Sequence, residues 1–274
     1  MSPPQPLSPA ELAAFDRDGY VRLPAAFARE AALAMQSEWW TELTAVCGAR
    51  RDDPATWRRS QLDLKGPKRA ASQRAIETGR IKGALDALLG ADAWDWPKDW
   101  GRPIVTFPSG APLDAWDVPQ GWHWDGRSDW NVPRVTTLFI VACVGEMLEK
   151  GGATVVVAGS HCVVVERYHE LPPDRRALGE TWRRDRLLRD HPWFARLSGH
   201  APGPADRIDA FMAADRPLRV VELTGEPGDV YVCHPLLIHA QAPNCRDRPR
   251  MVRIKQQFLS REAQRRVKLE AGGR

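Results

Sequence analysis

The sequence contains no run of about twenty apolar residues, so no segment of it is expected to cross a membrane. Its start, Met1-Ser2-Pro3-Pro4-Gln5-Pro6, has neither a basic region nor an apolar one. A secretory signal is therefore not expected, and the reading is of a cytoplasmic protein. Cysteine is sparse: Cys47, Cys143, Cys162, Cys233 and Cys245 are odd in number and form no Cys-x-x-Cys pair. That excludes a disulfide scaffold or a zinc ribbon and suits a reducing compartment. An excess of one charge is also missing. Thirty-nine Lys and Arg face 35 Asp and Glu over 274 residues, a net charge of +4, which is too small and too dispersed to argue for nucleic acid. With 43% apolar and 27% charged residues the chain has the composition of a folded globular protein. It shows no internal repeat and no linker of altered composition, so a single domain is expected over residues 1–274. Tyrosine and phenylalanine are few, at 3 and 7, yet there are 12 tryptophans, seven of them between residues 94 and 130.

Local signals divide the chain. Ser8-Pro9-Ala10-Glu11 reads as a capping box with proline in the first helical turn, and Gly19 ends that helix. Tyr20–Leu23 alternates as a strand. Residues 28–46 have helical spacing, and a further helix is expected over 72–89, stopped by Gly90. The first hundred residues are thus a mostly helical flank. Short β-branched runs follow at Ile104–Phe107, Val135–Val144, Ala153–Val157, Leu218–Leu223, Val230–Cys233 and Met251–Phe258, which suggests antiparallel strands in a barrel or sandwich. Residues 108–122 carry three prolines and read as a long loop, a feature usually tied to function. Residues 163–216 read as an insertion. Its 166–190 stretch mixes acids and arginines in near balance and is expected to form a solvated helical face.

Three stretches carry chemistry. His123-Trp124-Asp125 sets two metal-capable side chains two residues apart, so in extended backbone both point the same way. Such a pair is expected roughly once by chance in a chain of this composition, and a third ligand is needed to give it meaning. His239, closing the apolar run from Gly228 to Ile238, is the best candidate. His234 competes, because Pro235 interrupts the strand between them and parity does not decide. Two histidines and a carboxylate with open positions form the facial triad of non-haem Fe(II) oxygenases. In Arg250-Met251-Val252-Arg253-Ile254-Lys255 the alternation puts Arg250 on the apolar side with Val252 and Ile254, and Arg253 and Lys255 on the other. An inward arginine needs an anion, and its fork fits a carboxylate.

Taken in order, Trp122-His123-Trp124-Asp125, Gly151–His161, His234–His239, Pro243-Asn244 and Arg248-Pro249-Arg250 resemble the phytanoyl-CoA dioxygenase-like enzymes, which use Fe(II) and 2-oxoglutarate. The likeness is clear over about residues 102–258 and looser over Phe15–Leu23. It implies an α+β fold with a double-stranded β-helix (jelly-roll, cupin-like) core, the 163–216 stretch being inserted in it. It implies His123, Asp125 and His239 as iron ligands and Arg250 as the residue gripping 2-oxoglutarate, with Arg248, in the turn, as the lesser alternative. The activity implied is that of a dioxygenase that hydroxylates a small molecule with O2 and releases succinate and CO2. Neither the tryptophan-rich stretch nor the insertion is a general feature of that family. Trp116, Trp122 and Trp130 are the candidates to line a pocket for an apolar, aromatic or cationic substrate. Gly159-Ser160-His161 reads as a turn in which Ser160 caps the next helix. The alternatives are a cupin-type metal enzyme that does without 2-oxoglutarate, which leaves an inward Arg250 unexplained, and a non-catalytic jelly-roll binding module.

Overall fold

The protein is described as a computed structural model covering residues 3–66, 70–125, 135–172, 186–201, 211–213 and 216–272. The N-terminal helix α1 (Pro9–Asp18) begins with the expected capping box: the Glu11 amide donates to Ser8 Oγ, and the Glu11 carboxylate accepts from the Ser8 amide at 2.8 Å. Gly19 closes the helix, and β1 (Tyr20–Leu23) follows. Helix α2 (Arg29–Cys47) buries Ala32, Met35, Trp39, Trp40 and Leu43, a spacing that draws one stripe along the helix. The helix expected over 72–89 is divided. A 3-10 stretch, Ala71–Ile76, precedes α3 (Gly79–Leu89), and Thr78 caps α3 by accepting from the Ile81 amide.

Two antiparallel sheets form the centre. The larger has the order β1-β8-β4-β10-β3-β2, with β2 at Gln61–Asp63, β3 at Arg102–Thr106, β4 at Thr137–Cys143, β8 at Val230–Cys233 and β10 at Arg250–Phe258. The smaller has the order β6-β7-β5-β9, with β5 at Thr154–Ala158, β6 at Phe211–Ala213, β7 at Arg216–Glu222 and β9 at His239–Gln241.

Alternation along the strands assigns each side chain to a layer. On β4, Leu138, Ile140 and Ala142 face α2 and α3, whereas Phe139, Val141 and Cys143 face the other sheet with Val156 and Leu223. On β5, Val156 points into that sandwich, and Val155 and Val157 point outward. The outward face is covered by α4 (Ser160–Glu170), by Leu187 and Leu188, and by α5 (Pro192–Leu197) through Val163, Val164, Trp193, Phe194 and Leu197. The insertion is therefore an apolar cover for the smaller sheet. Its solvated side shows in the ion pairs Arg167–Glu170 and Arg186–Asp190, while the part of the expectation that falls on 173–185 lies outside the described residues. Helix α6 (Arg261–Gly272) ends the chain and buries Ala263 and Val267 in the α2 layer. Among the described residues no helix is long and apolar enough to cross a membrane.

Ser160 departs from its expected role. Gly159 stands at the cap of α4, and no side chain caps it. Ser160 is fully buried, and its Oγ accepts instead from the Ile238 amide at 2.9 Å. A hydroxyl next to an apolar strand entry satisfies an amide that would otherwise be stranded there. Arg253 takes the face of β10 opposite Arg250, as its parity requires. The alternation along β10 holds, but the far face is as buried as the near one, because α2 covers it. Arg253 is 1% exposed, with its guanidinium 5.5 Å from the ring centre of Trp39.

Candidate metal centre

His239 opens β9 at the edge of the smaller sheet, facing inward beside Val156, its register partner on β5. The chain returning from the 108–122 loop pairs with it at a single point. The His123 amide donates to the His239 carbonyl at 2.9 Å and the His239 amide to the His123 carbonyl at 2.8 Å. A doubly bonded antiparallel pair puts both side chains on one face, and Asp125, two residues on, shares it. The ligand atoms of His123, Asp125 and His239 all lie within 4.8 Å of one another. Asp125 Oδ1 is 3.8 Å from His123 Nε2, and Oδ2 is 3.6 Å from His239 Nε2.

Backbone carbonyls orient both rings. His123 Nδ1–H donates to the Gly121 carbonyl at 2.8 Å and His239 Nδ1–H to the Leu237 carbonyl at 2.9 Å. With Nδ1 turned to a carbonyl, each ring presents Nε2 to the site, the atom left to hold a metal. Phe139 of the larger sheet stacks on His239 with ring centres 4.6 Å apart and fixes its plane. Burial alone would raise the Asp125 carboxyl. The hydrogen bond and charge of His239, the charge of His123 and a hydrogen bond from Gln256 outweigh it and hold the group below its ordinary value, as an anion.

His234 is elsewhere. It packs, partly buried, against His161 and Phe15, with ring centres 4.9 and 6.0 Å away, and its Nδ1 accepts from the Leu236 amide at 3.1 Å. Desolvation, then the charge of His161, pushes it down to about 3, so it is neutral.

Arg250 faces inward as its parity requires and is 2% exposed. Nη2 donates to Thr154 Oγ1 at 2.8 Å, but Nε and Nη1 are buried without a partner among the described residues. Burial lowers its guanidinium to about 10. Thr154 pairs in register with Gln241, one inward position beyond His239, so the guanidinium lies one step along the sheet from the triad. Arg248 is not brought there: it is exposed in the turn and paired with Glu146 at 2.8 Å and Asp247 at 3.3 Å.

Trp122 and Trp124 are buried, and Trp116 is partly buried, all in the cluster under α4 and α5. The indole N–H groups of Trp116 and Trp122 find no acceptor among the described residues. Trp130 lies outside those residues. A cavity of about 570 Å³ opens between the β2–β3 edge, the 108–122 loop and the end of β9, lined among others by Thr106, Phe107, Asp117, Val118 and Gln241. Two residues at the site were missed in the sequence: Thr154 and Gln256. Gln256 could have been found, because it extends the inward parity of Arg250, Val252 and Ile254.

No protein-family model matches the chain, and no curated protein sequence matches it. Solved structures do. The chain is similar to the non-heme α-ketoglutarate-dependent carbocyclase SnoK of nogalamycin biosynthesis, with TM-score 0.56 and 16% identity over 94% of this chain and 87% of that one. It is similar to EctD from S. alaskensis, solved with bound Fe, with TM-score 0.53 and 19% identity over 94% and 79%. EvdO2 from Micromonospora carbonacea var. aurantiaca gives TM-score 0.52 and 16% identity over 95% and 94%. The fold is thus a double-stranded β-helix of the kind seen in non-heme iron, α-ketoglutarate-dependent enzymes.

Proposed function

We propose that the protein is an Fe(II)- and 2-oxoglutarate-dependent dioxygenase of the phytanoyl-CoA dioxygenase-like type, hydroxylating a small molecule, with residues 1–274 forming one catalytic domain in the cytoplasm. The observation that carries this reading is the pair of complementary deficits on one inner face. Two imidazoles and a carboxylate converge there, and one step away a buried guanidinium keeps two donor nitrogens without a partner among the described residues. The donor set fits Fe(II), which takes imidazole and carboxylate in a facial array with positions left open. The guanidinium fits the far carboxylate of a dicarboxylic cosubstrate. Leaving two of its donor nitrogens unpaired in the interior costs several kcal/mol, and a bidentate carboxylate removes that penalty.

His123, Asp125 and His239 would hold the metal, and Arg250 with Thr154 the cosubstrate. Iron and 2-oxoglutarate, once bound, supply the O2-activating chemistry that yields succinate and CO2. The chain's own part is to present unprotonated ligands and to keep the site dry beneath Phe139 and the apolar walls. It also spaces the anion-binding group one strand step from the metal ligands. The cupin-type reading without 2-oxoglutarate leaves Arg250 unpaired, and a non-catalytic module leaves the whole face without purpose.

The test is anaerobic titration of the Fe(II)-loaded protein with 2-oxoglutarate. A weak visible charge-transfer band is expected, and His239→Ala should abolish it. Tight Fe(II) binding with no band and no cosubstrate affinity would replace this reading with the cupin-type one.

A further inference from the structure

Building on that metal-centre reading, we propose that Gln256 is a positioning residue that fixes Asp125 in the orientation the metal requires. The two histidines are each held twice, by the shared backbone bridge and by a carbonyl on Nδ1. Asp125 lies two residues beyond that bridge, on the outgoing chain, and its hold on the larger sheet comes from Gln256. The Gln256 Nε2 donates to the Asp125 backbone carbonyl at 3.2 Å, which ties the residue carrying the carboxylate to β10.

The position on β10 makes this more than a chance contact. Arg250, Val252, Ile254 and Gln256 are successive inward positions of one strand. The first of these positions takes the anion-binding role and the fourth steadies the anionic ligand, so one element of the larger sheet supports both halves of the site. Across the same sheet, Gln256 is the register partner of Phe139, whose ring stacks on His239. Two adjacent residues of the larger sheet thus each brace one ligand carried by the smaller one. Without the Gln256 amide, the backbone at Asp125 loses this tie to β10, and the carboxylate, whose two oxygens straddle the two imidazole nitrogens at 3.6 and 3.8 Å, can shift with it. Groups that orient metal ligands in this way typically contribute 10- to 100-fold in metal affinity.

The experiment uses the full chain and Co(II) as probe, followed by its visible absorption. Gln256→Met keeps length and packing but removes the donor. It should weaken Co(II) binding about 10- to 100-fold and alter the spectrum, with the thermal midpoint of the metal-free protein unchanged. If Gln256→Met folds poorly, Gln256→Asn, which keeps the amide but falls short of Asp125, should give the same loss. In an Asp125→Ala background, Gln256→Met should cause no further loss, since its effect runs through the carboxylate. Unchanged affinity and spectrum in both variants would overturn the proposal while leaving the metal centre intact. An equal loss in the Asp125→Ala background would overturn it too, by showing a general structural effect. Failure of the unmodified chain to bind Co(II) would overturn the metal-centre reading and this one together.

Discussion

Single residues decide what the site can hold. Arg250→Lys keeps a positive charge in the interior but exchanges a rigid fork for a point charge. The apparent constant for 2-oxoglutarate should rise about 10- to 100-fold, or about 1.4–2.7 kcal/mol, while Fe(II) affinity stays unchanged. Arg248→Ala should change neither, because its partners are Glu146 and Asp247. Cosubstrate titrations of the three proteins check this, and a constant that moves with Arg248 instead would transfer the role. His234 supports a second expectation, in stability. Its folded value, about 3, lies below the ordinary 6.5 because burial disfavours the cation. The unfolded chain therefore binds the extra proton between those values, and stability is lost as pH falls from about 6.5 toward 3. His234→Asn offers an acceptor where Nδ1 stands but cannot titrate. Its melting temperature should fall less steeply than the unmodified protein's between pH 6.5 and 4, and equal slopes would show that other groups dominate. At this scale the sequence was legible where residues are close together. His-x-Asp on one face and the inward parity of Arg250 follow from period-two backbone. The choice between His234 and His239 did not, because it depends on what each ring meets across the molecule: Phe15 and His161 for one, Asp125 for the other.

At the scale of elements, strands were readable and covers were not. Val230–Cys233 forms the strand its composition announces, and the other β-branched runs match their strands to within two residues at each end. What faces each strand is a long-range fact. The all-apolar run of β4 shows that both its faces are covered, but not that α2 covers one of them and hides Arg253. The same holds for the insertion: its 166–190 stretch reads as a solvated face and carries the ion pairs Arg167–Glu170 and Arg186–Asp190, while Val163, Val164, Phe194 and Leu197 on either side of it close the smaller sheet. The divided helix over 71–89 was missed for a local reason: a Thr78 cap restarts it at Gly79, a signal hidden inside a continuous helical pattern. Contacts between elements also set where side chains are forbidden. Gly101 precedes β3 at φ +79°, and a Cβ there would sit 1.9 Å from the Ile254 carbonyl of β10. Gly110, at φ +77°, has nothing within 4 Å. Gly110→Ala should therefore cost about 1 kcal/mol from backbone strain alone. Gly101→Ala must also push the two strands apart and should cost several times that, approaching the 4–5 kcal/mol of exceptional core substitutions. Chemical denaturation of the two variants measures the difference, and similar losses would mean that β3 and β10 separate easily.

For the whole molecule, the site is a joint between the sheets. The smaller sheet brings His239 and, through the bridge at His123, Asp125. The larger brings Arg250, Gln256 and Phe139. Anything that binds both sets binds only the folded state, because the ligands span residues 123 to 250 and come together through the packing of two sheets. Metal and cosubstrate should then stabilise the fold in separable increments. A ligand at 100 times its dissociation constant adds about 2.7 kcal/mol. At roughly 2–4 °C per kcal/mol, this is a rise of about 5–11 °C in melting temperature for each. Mn(II) in place of iron avoids oxidation while keeping the same kinds of ligand. In the unmodified protein Mn(II) should raise the melting temperature, and 2-oxoglutarate should raise it again. In Arg250→Lys the metal increment should remain, while the cosubstrate increment shrinks to about 1.4 kcal/mol for tenfold weaker binding or about 0.4 kcal/mol for a hundredfold. In Asp125→Ala the metal increment should collapse, and the cosubstrate increment should shrink with it if the cosubstrate, as in the proposed function, acts together with the metal. A cosubstrate shift that survives in Asp125→Ala at full size would place the dicarboxylate away from the triad. A metal shift lost in Arg250→Lys would mean that the two halves of the joint are not the independent contributors that their places on opposite sheets imply.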